Sequence, residues 1–388
     1  MHILHVTPYY APAYAFGGVP RAVEGMVTAL ATRGHSVSVL TTDAYTAHNR
    51  VSAQPMALNG VRIVRARNAS VWLRGHLNLS TPVSMRRLAE QLMPDVDVVH
   101  CHEFRTVENL LVTPVARKYQ KPLVLSPHGT LPHGTGRSVI KQVWDAIISP
   151  AVARRFDAVI ALAEPERDDA QMLWGRSGAH SRHEIVPNGV DRALFEQLPS
   201  PQDFRARYGL CDKKVILFMG RLHPRKGVDV LARAFMQMEN PDTRLLIVGP
   251  DEGLLTTLQY LAAQDARIVL TGFLDGDDRL AVFAAADVFA LPAIGEGLPM
   301  AVLEAMAAGL PVIISPGCNL PEVAAHGAGI EVAVDVVSLH DAMQDLLTDE
   351  HAAAGMSVAA RQLVKQQFTW SAVAAQLDDI YTALAVEA

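Results

Sequence analysis

Short apolar runs alternate with helical stretches along almost the whole chain, and this alternation limits the fold more than any other feature of the sequence. Residues 1–6 predict a buried strand, residues 21–33 a helix that Gly34 ends, and residues 36–40 the next strand. This β–loop–α–β order is typical of a parallel sheet with helices on both faces. The sequence therefore predicts an α/β fold.

The alternation continues beyond the first helix and begins again in the second half of the chain. Further strands of the first series are predicted at residues 61–64, 96–100, 123–126 and 158–161, with one more short run at 185–186. After a polar segment, a second series is predicted at residues 215–219, 245–248, 268–271, 288–291 and 311–315. We expect two Rossmann-like doubly wound domains that face each other across a ligand-binding cleft. Their expected limits are residues 1–197 and 198–370, and a C-terminal helix at 371–388 is expected to pack back on the first domain.

The composition indicates a globular protein of the cytoplasm. The chain contains only three cysteines, Cys101, Cys211 and Cys318, which lie far apart in the sequence, so a disulfide framework is not expected. No run of about 18 apolar residues occurs, and the N-terminus lacks the basic start and apolar stretch of a secretory signal.

Positive charge is concentrated in one part of the chain. Between residues 61 and 155 there are fourteen Lys/Arg and six Asp/Glu, a local charge of +8, so the rest carries −14 of the total of −6. Such a region could meet an anionic acceptor or an anionic membrane surface, or form a solvated basic face. Nucleic acid is not expected as a partner, because no nucleic-acid-reading motif accompanies the charge.

Residues 291–322 follow the order strand end, loop, helix, strand. Pro299 is predicted as the first helical residue and Gly309 as the residue that ends the helix. The N–H groups of residues 298–301 and the helix dipole then predict a site for an anion such as a diphosphate. Glu304 lies one turn further along this largely apolar helix, where a carboxylate needs a buried partner.

Glu296 and Glu304 are separated by seven residues, and Glu304 is the first residue of the run EAMAAGLPVIIS. This pattern resembles the E-x7-E signature of family 4 glycosyltransferases, which are retaining enzymes with the GT-B fold. The resemblance covers nearly the whole chain and also includes GRLHPRKG (220–227), LLIVGPDEG (245–253), TGFLDGDD (271–278), IVPNGVD (185–191) and the early Gly17-Gly18 loop.

The resemblance implies a role for each matching residue. Arg221 and Lys226 would clamp the diphosphate, where fixed cations stabilise the charge of the departing nucleotide. Glu304 would accept hydrogen bonds from the ribose hydroxyls, and Glu296 would hold the hydroxyls of the donor sugar. His128, in the SPHGT segment, would lie near that sugar. The catalytic set is then Glu296, His128, Arg221 and Lys226.

Other residues would complete the donor site. Backbone groups around Phe273 and Leu274 would hold the base. Gly17 and Gly18 would let the N-terminal loop approach the donor. Leu298, Pro299 and Met300 would line the donor site at the start of the helix. Leu298 and Pro299 stand where phenylalanine and glycine are common in the family, so the detailed shape of this site stays open.

The implied function is transfer of a hexose from a UDP- or GDP-sugar to a glycan or lipid-linked saccharide, in the synthesis of cell-surface polysaccharide. The leaving phosphate would act as the base, so no protein nucleophile and no cofactor is needed; the nucleotide sugar is a co-substrate. The transition state would resemble an oxocarbenium ion. The enzyme would lie in the cytoplasm or on the inner face of the cytoplasmic membrane.

No metal site is expected. Asp95 and Asp97 immediately precede a strand and indicate a turn, and residues 275–278 indicate a turn and a helix start. Cys101 and His102 have no paired ligands at zinc spacing.

Three other functions stay open. A dinucleotide oxidoreductase would share the fold class, but no G-x-G-x-x-G with a following acidic residue occurs. A binding protein without catalysis is disfavoured because the charged motif residues are retained. A same-fold transferase or phosphorylase could act on a small soluble acceptor. Residues 7–20 and 131–150 carry no acceptor signature that would decide this.

Overall fold

The computed structural model describes residues 1–51, 57–77, 79–131, 138–178 and 180–387. The chain forms two compact units. Unit 1 contains Met1–Gly189 together with Trp370–Ala388, and unit 2 contains Val190–Thr369. The units therefore meet in the sequence at Gly189, ahead of the limit at residue 197 expected above.

Unit 1 is built on a sheet with nine strands among its described residues. The strands are β1 (His2–Val6), β2 (Ser36–Thr42), β3 (Ala57–Leu58), β4 (Val61–Asn68), β5 (Pro82–Val83), β6 (Val98–His102), β7 (Leu123–Ser126), β8 (Ala158–Ala161) and β9 (Arg182–Ile185). Their order is β3-β4-β2-β1-β6-β7-β8-β9, with β5 paired to β4. The short strands β3 and β5 are antiparallel to β4, and the remaining pairs are parallel.

Seven described helices accompany these strands in the first half of the chain. They are α1 (Gly18–Thr32), α2 (Val71–Leu77), α3 (Met85–Leu92), α4 (Val107–Lys118), α5 (Ser138–Ile147), α6 (Ser149–Ala153) and α7 (Glu164–Ser177). The first helix begins three residues earlier than the sequence predicts, because Gly17 caps it.

Unit 2 is built on a six-stranded parallel sheet with the order β12-β11-β10-β13-β14-β15. Its strands are β10 (Lys214–Met219), β11 (Thr243–Val248), β12 (Ile268–Gly272), β13 (Val288–Leu291), β14 (Val312–Ile314) and β15 (Gly329–Glu331). Its helices are α8 (Ala193–Glu196), α9 (Gln202–Arg207), α10 (Val228–Met236), α11 (Leu255–Gln264), α12 (Gly276–Ala285), α13 (Met300–Ala308), α14 (Glu322–Ala325), α15 (Val336–Thr348) and α16 (Glu350–Gln367). The α/β prediction is confirmed in both units.

The last helix, α17 (Trp370–Glu387), belongs to unit 1. Two glycines of unit 1 make room for its first residue. A Cβ atom at Gly25 would lie 2.1 Å from the Trp370 indole, and one at Gly189 would lie 2.7 Å from the Trp370 backbone nitrogen. Both positions therefore exclude any side chain.

The central strands of unit 1 present different side chains on their two faces. Leu4, Val6, Val99 and Cys101 point into a hydrophobic core that also includes residues of α3, α4 and α7. Because side chains alternate along a strand, the residues between them lie on the opposite face. That face carries three buried histidines, His5, His100 and His102, and Tyr381 of α17 hydrogen bonds to His100.

Candidate active site

In unit 2, the loop after β10 places Lys226 beside Glu296. Lys226 ends a 3₁₀ turn, and Gly227 follows with φ 64° as the N-cap residue of α10. A Cβ at Gly227 would lie 2.1 Å from the carbonyl oxygen of Pro292, so only glycine fits this close approach of two loops. The Lys226 Nζ lies 2.9 Å from the Glu296 Oε2, and their side chains are only 13% and 18% exposed.

The loop that carries Glu296 is tied to its neighbours by backbone hydrogen bonds. The Glu296 N–H donates to the Gly317 carbonyl (2.8 Å), and the Asn319 side-chain amide donates to the Glu296 carbonyl (2.6 Å). On the other side, the Ile294 N–H donates to the Arg225 carbonyl (2.7 Å). These hydrogen bonds hold the backbone at Glu296 in place and so fix the point from which its carboxylate projects.

Arg221 follows the same strand and carries a more exposed charge. Its Nη1 lies 2.7 Å from both carboxylate oxygens of Glu252, and the two side chains are 41% and 36% exposed. An ion pair this exposed contributes little to stability. Breaking the Arg221–Glu252 ion pair so that Arg221 can bind an anionic ligand would therefore cost little free energy. Sequence analysis did not identify Glu252.

Glu304 lies inside α13 and is 5% exposed. Its carboxylate forms an ion pair with Arg279 of α12, which is itself largely buried. The buried partner that an apolar helix requires for Glu304 is therefore Arg279, which sequence analysis did not name. Removing one member of such a pair would leave an uncompensated buried charge.

The start of α13 differs from the prediction. Pro299 is the N-cap residue, with φ −74° and ψ 118°, and the helix begins at Met300. The prediction that Pro299 is the first helical residue is therefore wrong, because its ψ angle is extended and its carbonyl accepts the Val302 N–H. Gly309 ends the helix in the left-handed conformation, as predicted. Leu298 and Pro299 are buried and Met300 is half-buried.

Phe273 and Leu274 lie in the loop between β12 and α12. Phe273 is 45% exposed and Leu274 is half-buried. An exposed phenylalanine beside a strand end is available to a ligand. The structure therefore leaves this loop accessible in unit 2.

In unit 1, the Gly17-Gly18 loop opens α1. Gly17 has φ 109°, a conformation that favours glycine, and Gly18 is the first helical residue. The loop before it is stabilised by stacking of the Tyr9 and Phe16 rings, whose centroids are 3.7 Å apart.

His128 lies just beyond the end of β7, with φ 55°, and is followed by Gly129 with φ 74°. The buried carboxylate of Glu166 accepts hydrogen bonds from the Gly129 N–H and from the Leu162 N–H (2.8 Å). Burial raises the pKa of Glu166 to about 7. Glu166 thus fixes the backbone around His128, and sequence analysis did not find it.

The His128 Nε2 lies 2.9 Å from the His102 Nδ1. The sequence shows no ligands paired with His102 at zinc spacing, but the fold brings ring nitrogens of His5, His100 and His102 within 4.8 Å of one another. Sequence spacing could not show this, since His5 comes from β1 and pairs in register with His100 of β6.

Hydrogen bonds account for most nitrogens of this cluster. The His100 Nδ1 lies 2.6 Å from the Tyr381 hydroxyl and its Nε2 lies 2.8 Å from the Ser126 hydroxyl. The His5 Nδ1 lies 2.9 Å from the His102 Nε2. A cation at this cluster would have to displace these bonds.

Much of the basic stretch between residues 61 and 155 is used inside unit 1. Arg105 forms a largely buried ion pair with Asp145, and the buried Arg74 donates to backbone carbonyls. Other arginines remain exposed, and Arg65, Arg67 and Arg87 line a cavity of about 560 Å³. Arg137 and the rest of residues 132–137, part of the segment without an acceptor signature, lie outside the described residues.

Among the described residues, none of the helices is both long enough and apolar enough to cross a bilayer.

Comparison with known proteins agrees with this architecture. Residues 16–194 match the family described as Glycosyltransferase Family 4, and residues 213–349 match Glycosyl transferases group 1. A GDP-mannose-dependent alpha-(1-6)-phosphatidylinositol monomannoside mannosyltransferase of Mycolicibacterium smegmatis is 33% identical over 286 residues, which cover 70% of this chain and 72% of the relative. A glycogen synthase of Mycobacterium tuberculosis is 28% identical over 99% of this chain and 95% of the relative.

The solved structures include Anabaena HepE in complex with UDP and glucose, with a TM-score of 0.76 and 19% identity over 99% of this chain and all of that chain. This likeness shows the GT-B fold. The chain belongs to glycosyltransferase family 4. It is a retaining hexosyltransferase that uses a nucleotide sugar as its donor.

Proposed function

We propose that this enzyme transfers a hexose from a UDP- or GDP-sugar to a glycan or lipid-linked saccharide acceptor during synthesis of cell-surface polysaccharide. The observation that carries the donor half of the proposal is the contact between Lys226 and Glu296 at a braced, partly buried position. A cation suited to a diphosphate and a carboxylate suited to sugar hydroxyls then lie side by side.

The assignments that we propose are those that the family resemblance implies, and these contacts are compatible with them. Arg221 and Lys226 hold the diphosphate, Glu296 holds the donor sugar, and Glu304 binds the ribose while Arg279 balances its charge. The base lies at the exposed loop of Phe273. Leaving-group charge is stabilised by the two cations, which need no divalent metal for this purpose.

Calorimetry and thermal unfolding with UDP, GDP and ADP test the donor site. A nucleotide at 100 times its Kd should raise the free energy of unfolding by about 2.7 kcal/mol. Lys226→Ala should weaken the binding of the preferred nucleotide. The matched control is Lys213→Ala, since Lys213 pairs with Asp242 at the surface of the same unit. Equal binding by both variants, or no stabilisation by any of the three nucleotides, would count against the proposal.

For the acceptor, we infer that it is lipid-linked and reached from the inner face of the cytoplasmic membrane. The support is the local charge of +8 between residues 61 and 155, together with the Mycolicibacterium relative, whose name gives a phosphatidylinositol mannoside as its acceptor. Arg86 and Arg87 of α3 are exposed and can meet anionic headgroups, each contributing about 1 kcal/mol at low salt.

Co-sedimentation with anionic and neutral vesicles at low and high salt tests this inference. Binding should be confined to anionic vesicles, should weaken at high salt, and should fall in the Arg86→Gln/Arg87→Gln variant. The control variant is Arg192→Gln, since the Arg192 side chain belongs to unit 2, is 43% exposed and pairs with Glu196. If the wild-type protein stays in the supernatant at low salt, membrane docking is refuted and a soluble saccharide becomes the acceptor to test.

A further inference from the structure

Three imidazoles are joined end to end on the polar face of the unit 1 sheet. The His5 Nδ1 lies 2.9 Å from the His102 Nε2, and the His102 Nδ1 lies 2.9 Å from the His128 Nε2. His5 and His102 are completely buried, and His128 is half-buried at the strand end. We call His5, His102 and His128 the histidine chain.

Both ends of the histidine chain are unpaired within the described part of the protein. The His5 Nε2 and the His128 Nδ1 are buried and have no hydrogen-bond partner there. Buried polar atoms usually have a partner, so each of these two ends requires an explanation.

Counting protons shows that the two ends must differ. Burial lowers the pKa of His5 to about 3, that of His128 to about 4 and that of His102 well below its ordinary value, so all three rings are neutral near pH 7. Each neutral ring has one N–H and one bare nitrogen. The two hydrogen bonds within the histidine chain use two of the three N–H groups and two of the three bare nitrogens. One N–H therefore remains at one end of the chain and one bare nitrogen at the other.

Burial decides which end carries the proton. An unpaired N–H deep in a protein is rarer than an unpaired acceptor. His5 is 0% exposed, whereas His128 lies at the strand end and belongs to the expected donor site. The favoured arrangement therefore leaves the His5 Nε2 bare. His5 then donates to His102, His102 donates to His128, and His128 carries its proton on Nδ1.

We propose that His102, backed by His5, is a positioning residue that holds His128 in the Nδ1–H form, so that His128 donates a hydrogen bond to an oxygen of the donor sugar. This inference rests on the proposed function and on the expectation from the sequence that His128 lies beside that sugar. It gives the buried residues His5 and His102 a role in positioning His128, and it places one proton on the His128 Nδ1. The tautomer of a histidine is generally set by the hydrogen bond at its other nitrogen.

The backbone at His128 is held separately from its ring. The Glu166 carboxylate binds the Gly129 N–H, and this contact does not involve the histidine chain. Changing His102 should therefore leave the loop in place and alter only the ring. This separation makes the inference testable by substitution.

The experiment compares His102→Leu with His102→Asn. Leucine removes both hydrogen bonds, whereas the asparagine amide lies near the position of Nδ1 and can still donate to His128. Nitrogen-15 NMR of labelled histidine, with His128 assigned from a His128→Gln variant, reports the tautomer. In the wild-type protein and in His102→Asn, His128 should show the Nδ1–H form without titration between pH 6 and 8. In His102→Leu this form should be lost.

Kinetics and binding give the functional readout. His102→Leu should lower kcat by about 10-fold or more, by analogy with the loss caused when the hydrogen-bond partner of a metal-ligating histidine is removed. His102→Asn should recover most of this loss. Binding of UDP or GDP, which lack the sugar, should be unchanged in both variants. The control is His100→Asn, which is equally buried but lies outside the histidine chain, and it should leave the His128 signal unchanged.

Each result has one meaning. An Nε2–H form of His128 in the wild-type protein, or the same tautomer in His102→Leu, overturns the inference. So does a His102→Leu variant that unfolds more easily but keeps the wild-type kcat. If the wild-type protein transfers no sugar from UDP- or GDP-sugars, the proposed function fails, and the NMR result still decides the tautomer.

Discussion

Acidification should destabilise unit 1, because four of its histidines, three of them fully buried, are neutral in the folded state. Burial lowers the pKa of His5, His100, His102 and His128, to about 3 for His5 and about 4 for His128. In the unfolded chain each has an ordinary pKa near 6.5. The unfolded state therefore binds more protons than the folded state below pH 6.5, so stability is lost as the pH falls through this range.

The magnitude follows from the same shifts. Between pH 7.5 and 5.5, each histidine that stays neutral lowers the free energy of unfolding by about 1.4 kcal/mol, and four lower it by about 5 kcal/mol. Two buried carboxyls act in the opposite direction. Burial raises the pKa of Glu166 to about 7 and that of Glu108 to about 6. Because the folded state takes up these two protons more readily than the unfolded state, the two carboxyls raise the free energy of unfolding by about 3 kcal/mol between pH 7.5 and 5.5. The net expected loss is about 2 to 3 kcal/mol.

Tryptophan fluorescence during urea unfolding isolates this effect, since Trp72, Trp144, Trp174 and Trp370, the four tryptophans of the chain, all belong to unit 1. Measurements at pH 7.5, 6.5 and 5.5 give the free energy of unfolding of that unit. In His102→Asn the pH dependence should shrink by about 1.4 kcal/mol, the contribution of one histidine. A free energy of unfolding that stays constant or rises toward pH 5.5 would refute this reasoning.

Three further predictions concern catalysis. Arg221→Ala and Lys226→Ala should each slow transfer by roughly 10²-fold in steady-state assays, while Lys213→Ala should not; wild-type rates in either clamp variant would remove that residue from the site. Glu304→Gln should raise the donor KM with little change in kcat, whereas Glu296→Gln should lower kcat and still bind free UDP or GDP, as kinetics and calorimetry can show. The opposite pattern would reverse the two roles. Transfer should persist in excess EDTA, and a loss that added divalent metal restores would show that a metal is required.

The strands were predictable because parallel strands buried on both faces consist of short apolar runs. The limits of β7 and β8 agree with the prediction at both ends. The strands β3, β5 and β15 were missed, since each has only two or three residues, too few to show a strand pattern. Pro299 was misplaced by one position because a proline fits both the cap and the first turn of a helix.

Within the site, residue types were predictable and their partners were not. Glu304 required a buried partner, but nothing in its own helix indicates that Arg279 of α12 supplies the charge. The histidine chain shows the same limit. His5 and His102 are separated by 97 positions in the sequence, and only the register of β1 beside β6 brings them together.

Unit 1 is interrupted in the chain by the whole of unit 2, and this order has a consequence during translation. Residues 190–369 leave the ribosome before α17 does, which at 5–20 residues per second delays that helix by about 10 to 40 s. Until then, His100 lacks the Tyr381 hydroxyl and the spaces at Gly25 and Gly189 stay unfilled. Unit 2 is contiguous and can fold first. Part of the interior of unit 1 therefore stays exposed to solvent until α17 has been synthesised. A chaperone would be most useful during this period.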